Sequence, residues 1–239
     1  METARISVLL QPFLADKTSA EGGSFGAGLS AGRSASLSKN QLQYISMYID
    51  ILLRWNARIN LTAVRKPEEI VTRHLGESLF AARHLFRASS ERNPNDAGRG
   101  SYDAIDIGSG AGFPGLPLKI WAPELKLTLI ESNQRKATFL REVIRALTLT
   151  NVDVFSARAE QFSGTASIVT LRAVEQFERT LPVAERLVAP AGRLALLIGE
   201  GQVEAARKLL PDLHWQDPLP IPQSSQRVLL VGVSKQESS

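Results

Sequence analysis

The residues best suited to chemistry lie at positions 106–115, in the stretch DIGSGAGFPG, which has four glycines in ten residues. Asp106 ends a short apolar run, and Gly108, Gly110 and Gly112 follow at alternate positions. Glycine allows the chain to turn sharply and lets a ligand approach the backbone closely. Glycine-rich loops after a strand often bind nucleotide cofactors, so this stretch predicts a cofactor site.

The spacing of the glycines bears on which cofactor binds. The dinucleotide pattern G-x-G-x-x-G would need a third glycine where the chain has Phe113. The pattern acidic-x-G-x-G-x-G fits at every position and is typical of loops that bind S-adenosylmethionine (SAM). Glu131 ends the next predicted strand, where a carboxylate can accept hydrogen bonds from ribose hydroxyls. Because NAD and SAM both contain a ribose, Glu131 indicates a nucleoside without choosing between them. A βα turn that binds no nucleotide is the alternative.

The composition excludes several kinds of chemistry. The chain has no cysteine and three histidines, so a thiolate nucleophile, a thiolate zinc site and an iron–sulfur cluster are impossible. Three histidines argue against a histidine-only metal site, although carboxylates could contribute ligands, and we predict no metal. Methylation of a pyrimidine C5 needs a cysteine nucleophile. Methylation of an exocyclic amine usually uses a D/N-P-P-Y sequence, and the corresponding place reads TLRAVEQF.

The elements that position these residues follow from hydrophobic periodicity. Strands are predicted at residues 102–108, 126–132, 151–157, 166–171, 193–199 and 227–234, with helical segments after most of them. Alternating strands and helices predict an α/β fold with a doubly wound, mostly parallel sheet, and ligands then bind beyond the carboxyl ends of the strands. Arg172 ends the fourth strand, which places it at that edge.

The chain divides into three predicted parts. Residues 1–37 are expected to be a flexible N-terminal extension, because residues 18–36 are mostly Gly, Ser and Ala, although the first sixteen could form a short helix. Residues 38–92 form a predicted helical segment packed on the core, capped at Ser38 or Asn40 and interrupted at Gly76. Residues 100–239 form the predicted cofactor-binding domain.

The charge distribution suggests an anionic partner. The net charge is +4, and residues 54–92 hold eight basic and four acidic residues. This basic stretch could meet RNA phosphates, or it could be an ordinary solvated helical face. We recognise neither a signal peptide nor an apolar run of membrane-spanning length, which predicts a cytoplasmic protein without a membrane partner. No signal for oligomerisation stands out, so a monomer is expected.

Several segments together resemble one family. They are LLRWNARINLTAVRKPEEIVTRHLGESL, AIDIGSGAGFPGLPLKIWAPELKLTLIES, RKATFLREVIRALTLTNVDVFSARAE and LRAVEQF. The chain resembles the ribosomal small-subunit RNA methyltransferase G family, also called glucose-inhibited division protein B (RsmG/GidB), over residues 38–233. The resemblance implies a seven-stranded SAM-dependent methyltransferase fold and methylation of a guanine N7 in 16S rRNA of the small ribosomal subunit.

The resemblance also implies site residues. It implies contacts with SAM by Gly108, Phe113, Ala159, Glu160 and Arg172, to which the glycine loop and the acidic position add Gly110 and Glu131. Arg172 is the candidate catalytic residue, as a donor to the SAM carboxylate or the RNA, with a surface ion pair as the alternative. Phe113 could instead pack in the core, and Glu160 could cap a helix. Arg73 and His74 are weaker candidates, because such a histidine is more often structural.

One departure from the family's pattern concerns the end of the fifth strand. The family commonly has a Lys-Gly pair there, whereas this chain has Ile198 and Gly199. Turnover could therefore be slower, or the chain could be a SAM- or RNA-binding factor that has lost it. A SAM methyltransferase acting on another RNA or on a small molecule is the other alternative. Guanine N7 carries a free lone pair, so its methylation needs no general base.

Overall fold

The computed structural model describes residues 1–15, 36–86, 102–173 and 176–236, and within these ranges eight strands form one sheet. The strands are β1 (Asp103–Ile107), β2 (Lys126–Ile130), β3 (Val152–Phe155), β4 (Ala166–Arg172), β5 (Val188–Gly199), β6 (His214–Trp215), β7 (Leu219–Pro220) and β8 (Arg227–Val233). The helices are α1 (Thr3–Leu14), α2 (Lys39–Asn56), α3 (Pro67–Glu69), α4 (Glu77–Leu85), α5 (Gly115–Trp121), α6 (Gln134–Ala146), α7 (Phe177–Arg186) and α8 (Val203–Leu209). A π-helical segment, Ile70–Gly76, joins α3 to α4.

The sheet confirms the predicted doubly wound α/β fold. Its order is β3-β2-β1-β4-β5-β8-β6, with β7 also paired to β8. The pairs from β3 to β5 are parallel, and β8 runs antiparallel to β5. The sheet has one strand more than the seven expected, because β6 and β7 have two residues each and leave no alternating pattern in the sequence.

The direction of β8 matters for the site. Since β8 is antiparallel, its first residue, Arg227, pairs with Gly199 at the end of β5. Arg227 therefore lies at the same edge of the sheet as the carboxyl ends of the parallel strands. The chain order reverses between β1 and β4, and ligands of open α/β sheets bind at such a switch point.

Successive residues of the strands contribute to two hydrophobic layers. In β5, Leu196 belongs to the cluster that contains the buried residues of α7 and α8, whereas Leu197 belongs to the cluster formed with α1, α2 and α4 to α6. This alternation is what a strand with two covered faces requires. Both faces of the sheet are therefore covered by helices, and the carboxyl ends of the strands remain open for binding a ligand.

The N-terminal helix corrects one expectation. Residues 3–14 are not a flexible extension, because Ile6, Leu10 and Phe13 of α1 are almost completely buried in the first cluster. A Cβ on Gly76 would lie 2.5 Å from Cε2 of Phe13, so this glycine provides room for α1. The glycine- and serine-rich composition of the following segment does not show whether the preceding helix docks. Residues 16–35 lie outside the described part of the chain.

The next helix is fixed at its start by the cap expected at Ser38. The Ser38 hydroxyl accepts a hydrogen bond from the Gln41 backbone (3.2 Å), and the Ser38 backbone donates to Oε1 of Gln41 (2.8 Å). The Gln41 side chain also donates to the carbonyl of Ile120 in α5 (2.9 Å). Helix α2 is thus attached directly to a helix that covers the sheet.

Candidate active site

The glycine loop after β1 is built from left-handed backbone conformations. The φ angles of Gly108, Gly110 and Gly112 are +65°, +55° and +88°, values that L-residues with a side chain rarely adopt. The Ser109 backbone donates to the carbonyl of Ile130 at the end of β2 (3.1 Å), and its hydroxyl donates to the Asp106 carbonyl. The positive φ angles explain why glycine occupies these alternate positions. The hydrogen bonds of Ser109 attach the loop to β1 and β2.

Asp106 holds the loop from below. It is fully buried, accepting hydrogen bonds from the Gly115 backbone (3.2 Å) and from the Thr170 hydroxyl of β4 (2.8 Å). Burial raises the pKa of Asp106 to about 6, and these hydrogen bonds oppose the rise. The side chain connects β1, β4 and the start of α5, and it is too enclosed to meet a ligand.

Glu131 lies against the loop, as the sequence suggested. Its Oε2 accepts a hydrogen bond from the Gly110 backbone (2.8 Å), and its Oε1 accepts one from the Asn133 backbone (2.7 Å). Each carboxylate oxygen has a second lone pair, so these bonds leave capacity for two ribose hydroxyls. The predicted loop and the predicted acid form one cluster.

The glycines of the loop differ in the space around them. A Cβ on Gly112 would lie 2.5 Å from Leu116 and 2.7 Å from the Tyr48 hydroxyl, and one on Gly115 would lie 2.5 Å from Leu129. A Cβ on Gly110 would meet only the Gly108 carbonyl, at 3.7 Å. Gly112 and Gly115 thus serve packing. Gly110 borders open space beside the buried carboxylate of Glu131. A nucleoside could therefore lie directly on the exposed backbone of the loop.

The turn after β3 completes this half of the edge. Ala159 is buried and Glu160 is exposed, and both belong to a short 3₁₀ turn. Nη2 of Arg186 in α7 lies 3.3–3.4 Å from the carbonyl oxygens of Ala159, Glu160 and Phe162 and donates to them. We call this half of the site the glycine side; it consists of Gly108, Gly110, Gly112, Glu131, Ala159 and Glu160.

Phe113 lies between the two halves of the edge. Its ring stacks on His74 with centroids 4.9 Å apart and contacts the ring of Tyr48 at 5.3 Å. The Arg172 guanidinium carbon lies 5.9 Å from the Phe113 centroid. Because Phe113 is only 6% exposed, core packing accounts for most of its surface.

Arg172 ends β4 and is held by charged and polar groups. Its Nε and Nη2 donate to Oε2 of Glu77, at 3.3 and 2.8 Å. Nη2 also donates to the Arg73 carbonyl (2.8 Å) and lies 2.9 Å from Nδ1 of His74. Arg172 and Glu77 are both buried, so the ion pair is internal. We call the other half of the site the arginine side; it consists of Arg73, His74, Glu77, Arg172 and Arg227.

His74 is a neutral, fully bonded histidine. Its Nδ1 faces the Arg172 donor, so Nε2 carries the proton and donates to the Thr62 hydroxyl (2.7 Å). Burial, followed by the nearby charges of Arg172, Arg73 and Arg227, lowers the pKa of His74 to about 3. In this state His74 positions Arg172 by accepting its hydrogen bond, and it does not act as a general base.

Sequence reasoning missed three residues of this site. The Tyr48 hydroxyl donates to the Ala111 carbonyl in the glycine loop, and burial raises the pKa of Tyr48. Glu77 accepts the bonds of Arg172, and Nε of Arg227 lies 3.3 Å from the same Glu77 oxygen. Tyr48 and Glu77 lie on buried helix faces, and a polar group on such a face needs a partner. That signal was available in the sequence.

Ile198 has a different environment from the one a lysine would need. It lies at the end of β5, is 3% exposed and belongs to the cluster with α7 and α8. Among the residues described, no group of three or more His, Cys, Asp or Glu side chains could hold a metal ion. None of the helices in the described ranges is long and apolar enough to cross a membrane.

Solved structures resemble the chain in fold. The chain superposes on the YcgJ protein of Bacillus subtilis with a TM-score of 0.52 and 12% identity, covering 68% of this chain and 100% of that one. The N-methyltransferase NodS of Bradyrhizobium japonicum gives a TM-score of 0.50 with 15% identity, covering 67% and 97%. At these identities the likeness concerns the fold alone.

Sequence comparison identifies the family. The family model described as GidB, rRNA small subunit methyltransferase G, matches residues 41–215. The chain is 39% identical over 194 residues to ribosomal RNA small subunit methyltransferase G of Xylella fastidiosa (strain 9a5c), covering 79% of this chain and 84% of that protein. It is 37% identical over 212 residues to the protein of the same name from Chloroflexus aggregans, covering 82% of both. The chain therefore belongs to the rRNA small subunit methyltransferase G family.

Proposed function

We propose that this protein transfers a methyl group from SAM to N7 of a guanine in 16S rRNA of the small ribosomal subunit. Membership of the family supports rRNA methylation, and the fold and the glycine side support a nucleoside cofactor. The substrate class implies action in the cytoplasm, where small subunits are assembled, and we propose that one copy of the chain suffices.

The glycine side would hold the cofactor. We propose that Gly108 and Gly110 contact its methionine part through the backbone, and that Glu131 accepts the ribose hydroxyls. Ala159 and Glu160 would border the adenine, since they follow β3 on the far side of Glu131. When bound, SAM supplies an activated methyl group on a positively charged sulfur.

The observation that carries the choice of N7 is that the titratable groups around the loop are already bonded. Asp106 is enclosed, His74 is bonded through both nitrogens, and Glu77 binds Arg172. Glu131, beside the loop, likewise accepts two backbone hydrogen bonds, whereas the carboxylates of Glu160, Glu178 and Glu200 are exposed to solvent. A reaction that must first remove a proton is poorly served here. Guanine N7 is a free acceptor at neutral pH and needs no such step.

The residues of the protein then have the task of alignment. Holding the nitrogen, the methyl group and the sulfur in one line can supply about 7–11 kcal/mol of the barrier. Arg172 is proposed to orient the base or the cofactor from the end of β4, with its own position fixed by Glu77 and His74. Replacing Arg172 would also disturb the buried Glu77, so loss of activity in Arg172→Ala must be read beside its stability.

The test uses labelled SAM and three substrates: small subunits from a strain lacking the activity, naked 16S rRNA, and a metabolite extract. Borohydride and aniline cleavage then reports 7-methylguanine in the labelled RNA. We expect label in the rRNA and cleavage at one guanine. Label without cleavage would contradict N7 methylation, and label only in the extract would favour a small-molecule substrate. SAM binding without label would favour a non-catalytic factor.

A further inference from the structure

The arginine side holds more positive charge than its internal partners neutralise. Arg172 and Arg227 both approach a single oxygen of Glu77, at 2.8 and 3.3 Å. The Arg73 carbonyl accepts a hydrogen bond from Arg172 (2.8 Å), which places Arg73 beside this pair. Burial lowers the pKa of Arg227, and the charges of Arg172 and Arg73 lower it further. With His74 neutral, the described part of the chain sets three arginines against the Glu77 carboxylate and, near Arg172, the charge of Asp106. Positive charge is therefore in excess in this cluster.

One donor in this cluster has no acceptor. Nε of Arg227 is buried from water and makes no hydrogen bond among the described residues, although it is within ion-pair distance of Glu77. A buried N–H group without an acceptor is rare and costs free energy comparable to a lost hydrogen bond. Glu77 thus neutralises Arg227 incompletely, and an oxyanion bound to the exposed part of the Arg227 guanidinium would reduce the excess charge.

The position of Arg227 separates it from the cofactor. It begins β8 and pairs with Gly199 of β5, whereas the glycine side follows β1, β2 and β3. Two strands, β4 and β5, lie between β1 and β8 in the sheet. The side chain of Arg227 is 27% exposed and Arg73 is exposed, so both can be reached from solvent. An anion that reaches the exposed part of Arg227 from solvent is therefore best accounted for by a phosphate of the substrate.

We propose that Arg227, together with Arg73, is a binding site for a backbone phosphate of the RNA, located beside Arg172 on the arginine side. The proposal rests on the proposed function, since it assigns the phosphate to the RNA that is methylated. The planar, fork-shaped guanidinium of an arginine matches the geometry of a phosphate, and part of the Arg227 side chain is open to solvent.

The test measures binding of labelled small-subunit RNA at several salt concentrations, without turnover. Each phosphate contact contributes about 0.7–0.9 to the slope of log affinity against log salt. Because both arginines hold the same phosphate, we expect Arg227→Gln and Arg73→Gln each to reduce the magnitude of that slope by up to about this amount. Arg227→Lys should keep most of the slope. The matched control is Arg145→Gln on α6, which makes the same charge change at an exposed position at the far end of that helix, and should leave the slope unchanged.

A separate titration with SAM assigns the anion. Unchanged SAM affinity in Arg227→Gln supports the RNA phosphate. Weakened SAM affinity with an unchanged RNA slope overturns it, because the anion would then be the cofactor carboxylate. A slope that falls equally in Arg145→Gln also overturns it.

If Arg227→Gln unfolds at too low a temperature to be used, Arg73→Gln is the deciding variant, because the Arg73 side chain is exposed. An unchanged salt slope in Arg73→Gln overturns the proposal. Methyl transfer by the unmodified protein is measured separately. Its absence would contradict the proposed function while leaving the slopes to test this site.

Discussion

The two halves of the sheet edge achieve their geometry by different means. On the glycine side, the ligand surface is mostly backbone, shaped by left-handed glycines and one carboxylate that accepts two backbone hydrogen bonds. On the arginine side, it is made of charged side chains from three separate parts of the chain. Backbone geometry suits a cofactor whose shape is constant. Clustered arginines suit a polyanion, which they attract at longer range.

The difference predicts that the arginine side is the more sensitive to loss of one charge. Glu77→Gln removes the carboxylate that is within ion-pair distance of both Arg172 and Arg227. Removing one partner of a buried ion pair commonly costs about 3–5 kcal/mol. We expect a loss of that size in the free energy of unfolding, measured by urea denaturation. Glu204→Gln, which removes an exposed partner of Arg207, is the control, and a similar loss there would contradict the explanation.

On the glycine side, two substitutions should separate packing from binding. Gly112→Ala places a Cβ against Leu116 and Tyr48 in a left-handed conformation, and we expect a loss of about 2–4 kcal/mol in stability. Gly110→Ala meets open space, so it should cost only about 1–2 kcal/mol through its φ angle. It should nevertheless weaken SAM binding about tenfold, or ~1.4 kcal/mol, by blocking backbone approach. Equal stability losses in the two variants would refute this distinction.

His74 and Asp106 should make opposite contributions to the pH dependence of the free energy of unfolding. Unfolded histidine takes up a proton near pH 6.5 and His74 only near pH 3, so this residue makes stability fall as the pH falls between those values. Asp106 titrates at about 6 in the folded chain and near 3.8 when unfolded, so it makes stability fall as the pH rises between those values. Each contributes at most about 1.4 kcal/mol per pH unit, with opposite signs.

The two contributions should nearly cancel between pH 4 and pH 6 in the unmodified protein. His74→Gln should leave the Asp106 contribution, so that stability rises as the pH is lowered through this window relative to the parent. Asp106→Asn should leave the His74 contribution and give the reverse slope. Urea denaturation of both variants at pH 4, 5 and 6 measures this. Parallel pH profiles for all three proteins would show that neither group titrates as described.

The smallest effect is expected at the contact between the helices and the loop. Tyr48→Phe removes the hydrogen bond to the Ala111 carbonyl and keeps the ring beside Phe113. We expect a loss of about 1 kcal/mol in stability and a raised KM for SAM, because the loop loses one of its supports. Tyr44→Phe, at a half-buried position one turn earlier, is the matched control. A KM unchanged in Tyr48→Phe would mean that the loop keeps its shape without this bond.

The order of strands and helices, and the position of Glu131 against Gly110, could be predicted from the sequence. These features depend on local patterns: alternating burial, glycines where φ must be positive, and acids that follow strands. The docking of α1 could not be predicted, since its apolar face shows only that the helix is buried somewhere. The same is true of Tyr48, whose hydroxyl meets a loop 63 positions away.

By itself the sequence determined a SAM-type glycine loop, an acid beside it and a family whose members methylate RNA. Only the tertiary structure decided that Arg172 is tied to Glu77 and His74, which are 95 and 98 positions away, and that Arg227 joins them from β8. Local patterns specify which face of an element is buried. They do not specify which distant side chain meets it there, because that depends on how the helices cross the sheet and on the direction of the last strand.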